Sequence, residues 1–325
     1  MKDYSLNAEI IICTENGYLE NMSKLLIWSI REFGGEFRNI PIYSYQPRKG
    51  HQVSDETTRF FDNYGVELVD ICLNQDYPHY PLANKIFACA NREQNTSADI
   101  LIFLDSDIFF LNEPQGLIQL DGHDVILRPV DYKIEGTEGP GDENYPFWEQ
   151  LYKTLGINEI RRVISTGDRK TIYEYYNSGQ IISKTSTGLF NRWLKNFHLV
   201  MNSGLHPREK LLYEEQITLA ATVSQMGLKV KLLDNTFNLP IFFIPQSGDI
   251  KKQIEKYGNA KSIHYHKIFK NVYGQNTLKG FLNGLENGRK INLKLEEFEV
   301  VKKASNLKIL KHRILQLYKH YLINA

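Results

Sequence analysis

Residues 100–111 read ILIFLDSDIFFL, and this segment constrains the fold more than any other part of the chain. An apolar run of this kind predicts a strand buried on both faces, as parallel strands of α/β sheets are. Two acidic residues, Asp105 and Asp107, interrupt the run. Because burying an unpaired carboxylate is costly, the pair predicts a compensating cation at the end of the strand.

Strand-like and helical patterns alternate through the first part of the chain. Apolar strand patterns occur at residues 8–14, 41–45, 66–71 and 100–105, and helical patterns lie between them at residues 22–34, 57–65 and 84–94. This alternation predicts an α/β fold with a mostly parallel, doubly wound sheet. Such sheets bind ligands at the carboxyl ends of their strands, which is where Asp105 lies.

The second half continues with a long loop and further elements. Residues 131–156 are rich in Gly, Pro and acidic side chains, which indicates a substrate loop that leads into a short helix. The remaining patterns predict strands at residues 124–129, 175–183, 229–234, 240–245 and 263–269, and helices at residues 186–201 and 213–227.

The composition of the chain argues against several classes of partner and cofactor. The chain of 325 residues has 39 Lys and Arg against 38 Asp and Glu, so its net charge of +1 gives no reason to expect a nucleic acid partner. No window approaches the roughly 20 apolar residues that cross a bilayer, so we expect a cytoplasmic protein. The three cysteines lack CxxC spacing, which argues against a zinc or disulfide framework.

The end of the chain differs from the body. Residues 301–325 carry Leu and Ile at helical spacing and many Lys and Arg, which predicts a basic amphipathic helix appended to a domain at residues 1–300. Two interpretations stay open. The helix packs on the body through its apolar stripe, or it makes peripheral contact with anionic lipid at the inner face of the membrane.

The Asp105-Ser106-Asp107 segment is typical of several chemistries. Two carboxylates at this spacing can converge from one side of a strand and suit Mn²⁺ or Mg²⁺. An EF-hand loop would need Gly at its sixth position, where the chain has Phe110. A haloacid-dehalogenase-type phosphatase carries its DxD on an early strand, and a sugar-nucleotide-forming nucleotidyltransferase carries an N-terminal glycine-rich loop, so both are disfavoured.

Four segments in order resemble the GT-A glycosyltransferases, and most closely their family-eight-like branch. They are ADILIFLDSDIFFLNEP, YYNSGQIIS, YEEQITLAA and IHYHKIFK, within residues 10–270. The resemblance implies a Rossmann-like fold and transfer of a sugar from a nucleoside diphosphate sugar to a glycan or lipid-linked acceptor. It also implies Mn²⁺ or Mg²⁺ as cofactor.

The resemblance also implies roles for individual residues. Asp107 and His264 correspond to metal ligands, and Asp105 corresponds to a ligand or a ribose contact. Catalytic and sugar-pocket roles fall on Asn177, Glu215 and Gln216. Contacts to the donor are expected from Thr14, Glu15, Tyr18, Lys85, Asp105, Ser106, Ser178, Gly179 and Lys270.

The chain departs from the family pattern at several positions. Lys267 replaces a glycine, and Asn271 with Val272 replaces a Pro-Trp pair, which leaves His266 as a rival metal ligand. Glu215 stands where the family has Asp, so retention and inversion of the anomeric configuration both stay open. Two other functions also stay open: a nucleotide-sugar-binding protein without turnover, and a metal-dependent phosphoryl or nucleotidyl transferase.

Overall fold

A computed structural model describes residues 7–207, 213–244, 249–266 and 272–301, without the side chains of residues 272–277. Its strands are short, as is usual for an α/β domain. They are β1 (Ala8–Cys13), β2 (Ile42–Tyr45), β3 (Val66–Val69), β4 (Ile100–Leu104), β5 (Ile108–Phe110), β6 (Val125–Pro129), β7 (Arg162–Ile164), β8 (Thr171–Tyr173), β9 (Tyr176–Lys184), β10 (Val230–Leu232), β11 (Leu239–Pro240) and β12 (Ser262–His264).

The main sheet has seven strands in the order β10-β6-β9-β4-β1-β2-β3. β1 pairs in parallel with β2 and β4, β2 with β3, and β6 with β10. β9 runs antiparallel to both of its neighbours, β4 and β6. The prediction of an α/β fold with a mostly parallel sheet is therefore confirmed, with β9 as the antiparallel insertion.

Helices cover both faces of this sheet. Leu101 and Phe103 of β4 pack into one apolar cluster, while Ile102 and Leu104 pack into the other, and all four are at most 1% exposed. This two-sided burial explains why the strand is apolar at nearly every position. The helices are α1 (Tyr18–Phe33), α2 (Asp55–Asn63), α3 (Asn84–Gln94), α4 (Tyr145–Leu155), α5 (Leu189–Asn202), α6 (Glu214–Gln225), α7 (Ile250–Tyr257), α8 (Val272–Asn283) and α9 (Glu286–Glu297).

A second, three-stranded sheet adjoins the end of β4, in the order β11-β12-β5. The chain leaves β4, turns through residues 105–107 and enters β5, which pairs antiparallel with β12. The predicted strand at residues 240–245 is wrong beyond Pro240, because residues 241–243 form a 3₁₀ turn. β12 ends at His264, the partner of Pro240, so the chain has no ladder to continue.

No helix among the described residues is long and apolar enough to cross a membrane. The basic helix predicted from residue 301 onward falls outside the described residues, apart from Val301 itself. α8 and α9 precede it and close a third apolar cluster together with α1.

Candidate active site

The DxD segment forms the turn between β4 and β5. The backbone N–H of Asp105 donates to the carbonyl of Gly179 at 2.7 Å, and the carbonyl of Asp107 accepts from Tyr265 at 3.0 Å. Between them, the Ser106 hydroxyl donates to the carbonyl of Cys13 at 2.8 Å. Because the segment turns instead of continuing the strand, the two carboxylates have different partners.

Asp107 lies beside two histidines, His264 at the end of β12 and His266 two residues later. His264 Nε2 lies 2.9 Å from Asp107 Oδ1, and the rings of His264 and His266 have centroids 3.7 Å apart. Potential ligand atoms of the three residues all lie within 4.8 Å of one another. β12 carries His264 opposite Ile108, the residue after Asp107, so strand pairing builds this cluster. His266 has a φ of 47°, an uncommon backbone conformation for histidine.

The three side chains suit a divalent transition metal. One carboxylate oxygen and two imidazole nitrogens match a transition-metal ion better than Mg²⁺, which prefers oxygen ligands throughout. Burial would raise the pKa of Asp107, but the His264 charge and hydrogen bond hold this pKa well below its usual range. Burial likewise opposes charge on His264, and Asp107 nevertheless raises the pKa of that imidazole. Each group therefore favours the charged form of the other across this 2.9 Å contact.

Asp105 lies against Lys85 and is not part of that three-residue cluster. Lys85 Nζ lies 2.8 Å and 3.0 Å from the two oxygens of Asp105 and 3.2 Å from Ser178 Oγ. Burial lowers the pKa of this ammonium, but the charges of Asp105 and Glu215 hold it above the usual value. Lys85 is thus a buried cation that contacts two other predicted donor-binding residues, Asp105 and Ser178.

β9 forms the floor between Asp105 and His264. A Cβ at Gly179 would lie 2.8 Å from the His264 ring and 2.9 Å from Asp105 Oδ2, so the position has no room for a side chain. Asn177 Oδ1 accepts from the Gly179 N–H at 2.9 Å and from Asn238 Nδ2 at 3.1 Å. These two bonds orient the Asn177 amide so that its Nδ2 is left as a donor.

Glu215 and Gln216 lie in the first turn of α6, beside this floor. The Glu215 carboxylate accepts from the Tyr80 hydroxyl and, at 3.4 Å, from Ser178 Oγ. Gln216 Oε1 accepts from the Ser178 N–H at 3.3 Å. Burial raises the pKa of Glu215, although Lys85 acts against that rise. A carboxyl with a raised pKa in a cleft is a common property of catalytic groups.

Two cavities meet at the DxD turn. The first, here called the β1 cavity, has a volume of about 390 Å³ and is lined by Glu15, Tyr18, Lys85 and the DxD segment. The second, the β9 cavity, has a volume of about 520 Å³ and is lined by Asn177, Gly179, Glu215, Gln216 and both histidines. Lys85, Asp105, Asp107 and His266 line both cavities.

Most of the predicted site residues that the structure describes therefore lie around one centre, and Thr14 does not. Thr14 is fully buried and bonds to the hydroxyls of Ser44 and Ser23, so it supports the wall of the β1 cavity from behind. Lys270 lies outside the described residues. Within the β1 cavity, Glu15 is held by Arg48 and by Asn84 Nδ2 at 2.9 Å.

Some residues of the site had no clear signal in the sequence. Tyr80, Arg48 and Asn84 act through Glu215 or Glu15 and lie far from them in the chain. Asn238, with a φ of 49°, holds Asn177 from the end of the second sheet. The positive φ of an Asn is compatible with a turn, but the sequence does not indicate which side chain it meets.

The chain is similar to one family of known proteins in sequence and to several solved structures in fold. A family model described as the Rhodobacterales glycosyltransferase domain matches residues 10–227, which is more than half of the chain. No curated protein matches the chain.

Several solved structures resemble this one at low sequence identity. The apo structure of the bifunctional glycosyltransferase WbbM has a TM-score of 0.49 at 15% identity, over 90% of this chain and 52% of that chain. Mouse xyloside xylosyltransferase 1 in its apo form has a TM-score of 0.47 at 10% identity, over 80% and 98%. The galactosyltransferase LgtC in complex with donor and acceptor sugar analogs has a TM-score of 0.48 at 11% identity, over 92% and 98%. The chain thus spans about half the length of the WbbM chain.

Proposed function

Since the chain belongs to the Rhodobacterales glycosyltransferase domain family and is therefore a glycosyltransferase, we propose that it uses a nucleoside diphosphate sugar as donor and a divalent metal ion as cofactor. We further propose a GT-A arrangement of the family-eight-like kind. The observation that carries this proposal is the cluster of Asp107, His264 and His266, which lies where two cavities meet.

The metal proposal rests on the chemistry of the ligands. Asp107, His264 and His266 would hold the ion, and the two imidazoles favour Mn²⁺ over Mg²⁺. When bound, the ion would act as a Lewis acid that stabilises the departing diphosphate. Asp105 would contact the donor ribose or complete the ligand set from its place beside Lys85.

The nucleotide would occupy the β1 cavity and the sugar the β9 cavity. Lys85 lines both and would place a positive charge beside the diphosphate, where negative charge develops during transfer. Glu15 and Tyr18 would face the nucleobase, and the Ser106 hydroxyl would hold the turn in position. The role of Lys270 in binding the diphosphate stays a prediction from the resemblance.

Glu215, Gln216 and Asn177 would act on the transferred sugar. The Asn177 amide donates toward a sugar oxygen, because its Oδ1 is already engaged by Gly179 and Asn238. Glu215 would either stabilise an oxocarbenium-like transition state or accept the proton of the acceptor hydroxyl. The first role is compatible with retention and the second with inversion, and both stay open.

A glycan or lipid-linked acceptor would enter from the open side of the β9 cavity. The basic helix predicted for residues 301–325 would add peripheral contact with the inner face of the membrane, while packing on the body is its alternative. Deleting residues 302–325 should then abolish co-sedimentation with anionic liposomes and leave donor hydrolysis intact. Unchanged sedimentation would contradict the membrane role.

The first test is a thermal-shift screen of nucleoside diphosphate sugars with Mn²⁺, Mg²⁺ or EDTA. We expect a metal-dependent stabilisation, about 2.7 kcal/mol at a hundredfold excess over Kd, in the wild type and not in Asp107→Ala. Asp121→Ala is the control, because that carboxylate is 65% exposed and pairs with Lys231 on the surface. An equal shift in Asp107→Ala would contradict the metal site.

Product analysis separates the other two functions. Release of a nucleoside diphosphate together with a glycosylated product supports the proposal. Release of phosphate or pyrophosphate would indicate a phosphoryl or nucleotidyl transferase. Donor binding with neither hydrolysis nor transfer across a broad acceptor panel would indicate a binding protein.

A further inference from the structure

Exposed aromatic side chains are concentrated at the mouth of the β9 cavity. Among the described residues, Tyr132 and Phe242 are the two strongly exposed aromatic side chains, at 43% and 44%. Both line the β9 cavity, and neither lines the β1 cavity. Ile134, 51% exposed, lies in the same lining. A cluster of solvent-exposed apolar side chains of this kind indicates a site that binds a ligand or a partner.

The two rings form one platform that continues to the metal cluster. Their centroids lie 5.8 Å apart with an interplanar angle of 35°. Phe242 stacks on His266 at 5.7 Å and 18°, and Phe243 meets Phe242 in an edge-to-face contact at 5.1 Å and 82°. A molecule resting on the platform is therefore one ring away from the cluster that would hold the diphosphate.

A fixed carboxylate stands next to the platform. Arg128, 1% exposed, donates from Nη2 to Asp131 Oδ1 at 2.9 Å, and the Thr166 hydroxyl donates to the same oxygen. None of the described residues donates a hydrogen bond to the other oxygen, Asp131 Oδ2. Asp131 also lines the β9 cavity. The Asp131 carbonyl accepts from the N–H of Gly167 at 2.7 Å, so backbone and side chain are both held in place.

We propose that Tyr132, Phe242 and Asp131 form an acceptor subsite that binds a pyranose ring. This inference rests on the proposed function and names the chemical class of its acceptor as a saccharide. The C–H face of a pyranose would stack on the negatively polarised faces of the two aromatic rings. Its hydroxyl groups would donate to Asp131, whose position is already set by Arg128, so little ordering entropy is lost on binding.

The carboxylate is what favours a sugar over a lipid chain. An acyl or isoprenoid chain would cover the rings equally well, but it has no donor for Asp131. Such a chain would exclude water from the Asp131 carboxylate without donating a hydrogen bond to it, which is unfavourable. A pyranose has both an apolar face and several hydroxyl groups, so it satisfies both parts of the subsite.

The test uses saturation-transfer difference NMR with methyl α- and β-hexopyranosides, and with decyl phosphate as the lipid probe. Each is added to the full chain with and without a nucleoside diphosphate and Mn²⁺. Tyr132→Leu and Phe242→Leu keep apolar volume but remove the ring, so we expect pyranoside binding to weaken about threefold to tenfold. Phe242→Tyr should retain binding, and Leu293→Ala, at an exposed position of α9, is the control.

The variants also separate this inference from the proposed function. Tyr132 does not line the β1 cavity, which is assigned to the nucleotide, so the metal-dependent thermal shift of Tyr132→Leu with a nucleoside diphosphate should equal that of the wild type. If that shift is present and pyranosides bind the wild type and both Leu variants equally, or bind none of them, the saccharide subsite is refuted and the donor site stands. Decyl phosphate binding that persists in both Leu variants, without pyranoside binding, would assign the platform to a lipid. If the wild type shows no donor shift at all, the proposed function itself fails.

Discussion

Replacing Lys85 with methionine removes a buried ammonium group from the centre of the site. The Lys85 side chain is 7% exposed and lies within 3.0 Å of both oxygens of Asp105. Methionine has a similar length and fills the space, so packing is largely kept. The variant isolates the loss of charge beside Asp105, Asp107 and Glu215.

The expected cost follows from the burial of both partners. Breaking a fully buried ion pair by removing one partner costs about 3–5 kcal/mol, because the remaining charge is left uncompensated. The Asp105 side chain keeps 25% exposure, and water therefore screens part of its charge. We expect Lys85→Met to lower the free energy of unfolding by about 2–4 kcal/mol.

Lys24 supplies a matched control. Its side chain is 8% exposed and its Nζ lies 2.7 Å from Glu56, but the Glu56 side chain is 77% exposed. Lys24→Met should therefore cost only about 1 kcal/mol or less, since the remaining carboxylate returns to water.

Urea denaturation of the metal-free proteins, monitored by far-UV circular dichroism, compares the two variants directly. Equal losses in Lys85→Met and Lys24→Met would refute the argument that Lys85 neutralises buried carboxylates. A Lys85→Met variant as stable as the wild type would refute it as well.

Three further predictions concern single side chains. Burial raises the pKa of Glu215, so its ionised form opposes folding as pH rises above the unfolded value. Glu215→Gln should gain stability relative to the wild type as the pH rises above about 4.3, the unperturbed pKa of Glu, while transfer falls about a hundredfold. A variant that loses stability at pH 7 would contradict this. Burial would raise the pKa of Glu20, but hydrogen bonds from the hydroxyls of Ser54 and Thr57 and from the backbone N–H groups of Ser54 and Gly17 lower it. The stability that the Glu20 carboxylate contributes is therefore present above about pH 4.5 and is lost on acidification. Glu20→Gln should cost about 1–2 kcal/mol at pH 7 and flatten the acid limb of the unfolding profile, and an unchanged limb would refute the assignment. His264→Ala should weaken Mn²⁺ binding about tenfold or more by titration calorimetry, and more than His266→Ala, because strand pairing fixes His264; equal affinity in all three proteins would contradict the cluster as a metal site.

Much of the fold follows from local pattern. The apolar residues of β4 pack alternately into clusters on the two sides of the sheet, and the run ILIFL already indicates that two-sided burial. The helices α1, α2 and α3 lie where helical periodicity predicts them. The sequence does not indicate the 3₁₀ turn at residues 241–243, because an apolar run of that length does not reveal whether a neighbouring strand is present to pair with it.

The site was predicted as a set of motifs, and the structure shows how they pair. Asp107 and His264 lie together as the resemblance implies, but the turn at residues 105–107 directs Asp105 to Lys85. Spacing alone suggested that the two carboxylates converge on one side of a strand. It could not reveal the turn, because the hydrogen bond from Asp105 to Gly179 joins residues that are distant in sequence.

The sequence by itself determined the α/β class, the position of the acidic pair at a strand end and the order of the motifs, because periodicity and charge are local properties. Only the tertiary structure decided which side chains share a partner. Tyr132 contacts Phe242, and His266 joins Asp107, through contacts between the loop after β6, the second sheet and the DxD turn. Such contacts depend on strand order and register, and a single sequence encodes these only through the energy of the whole packed chain.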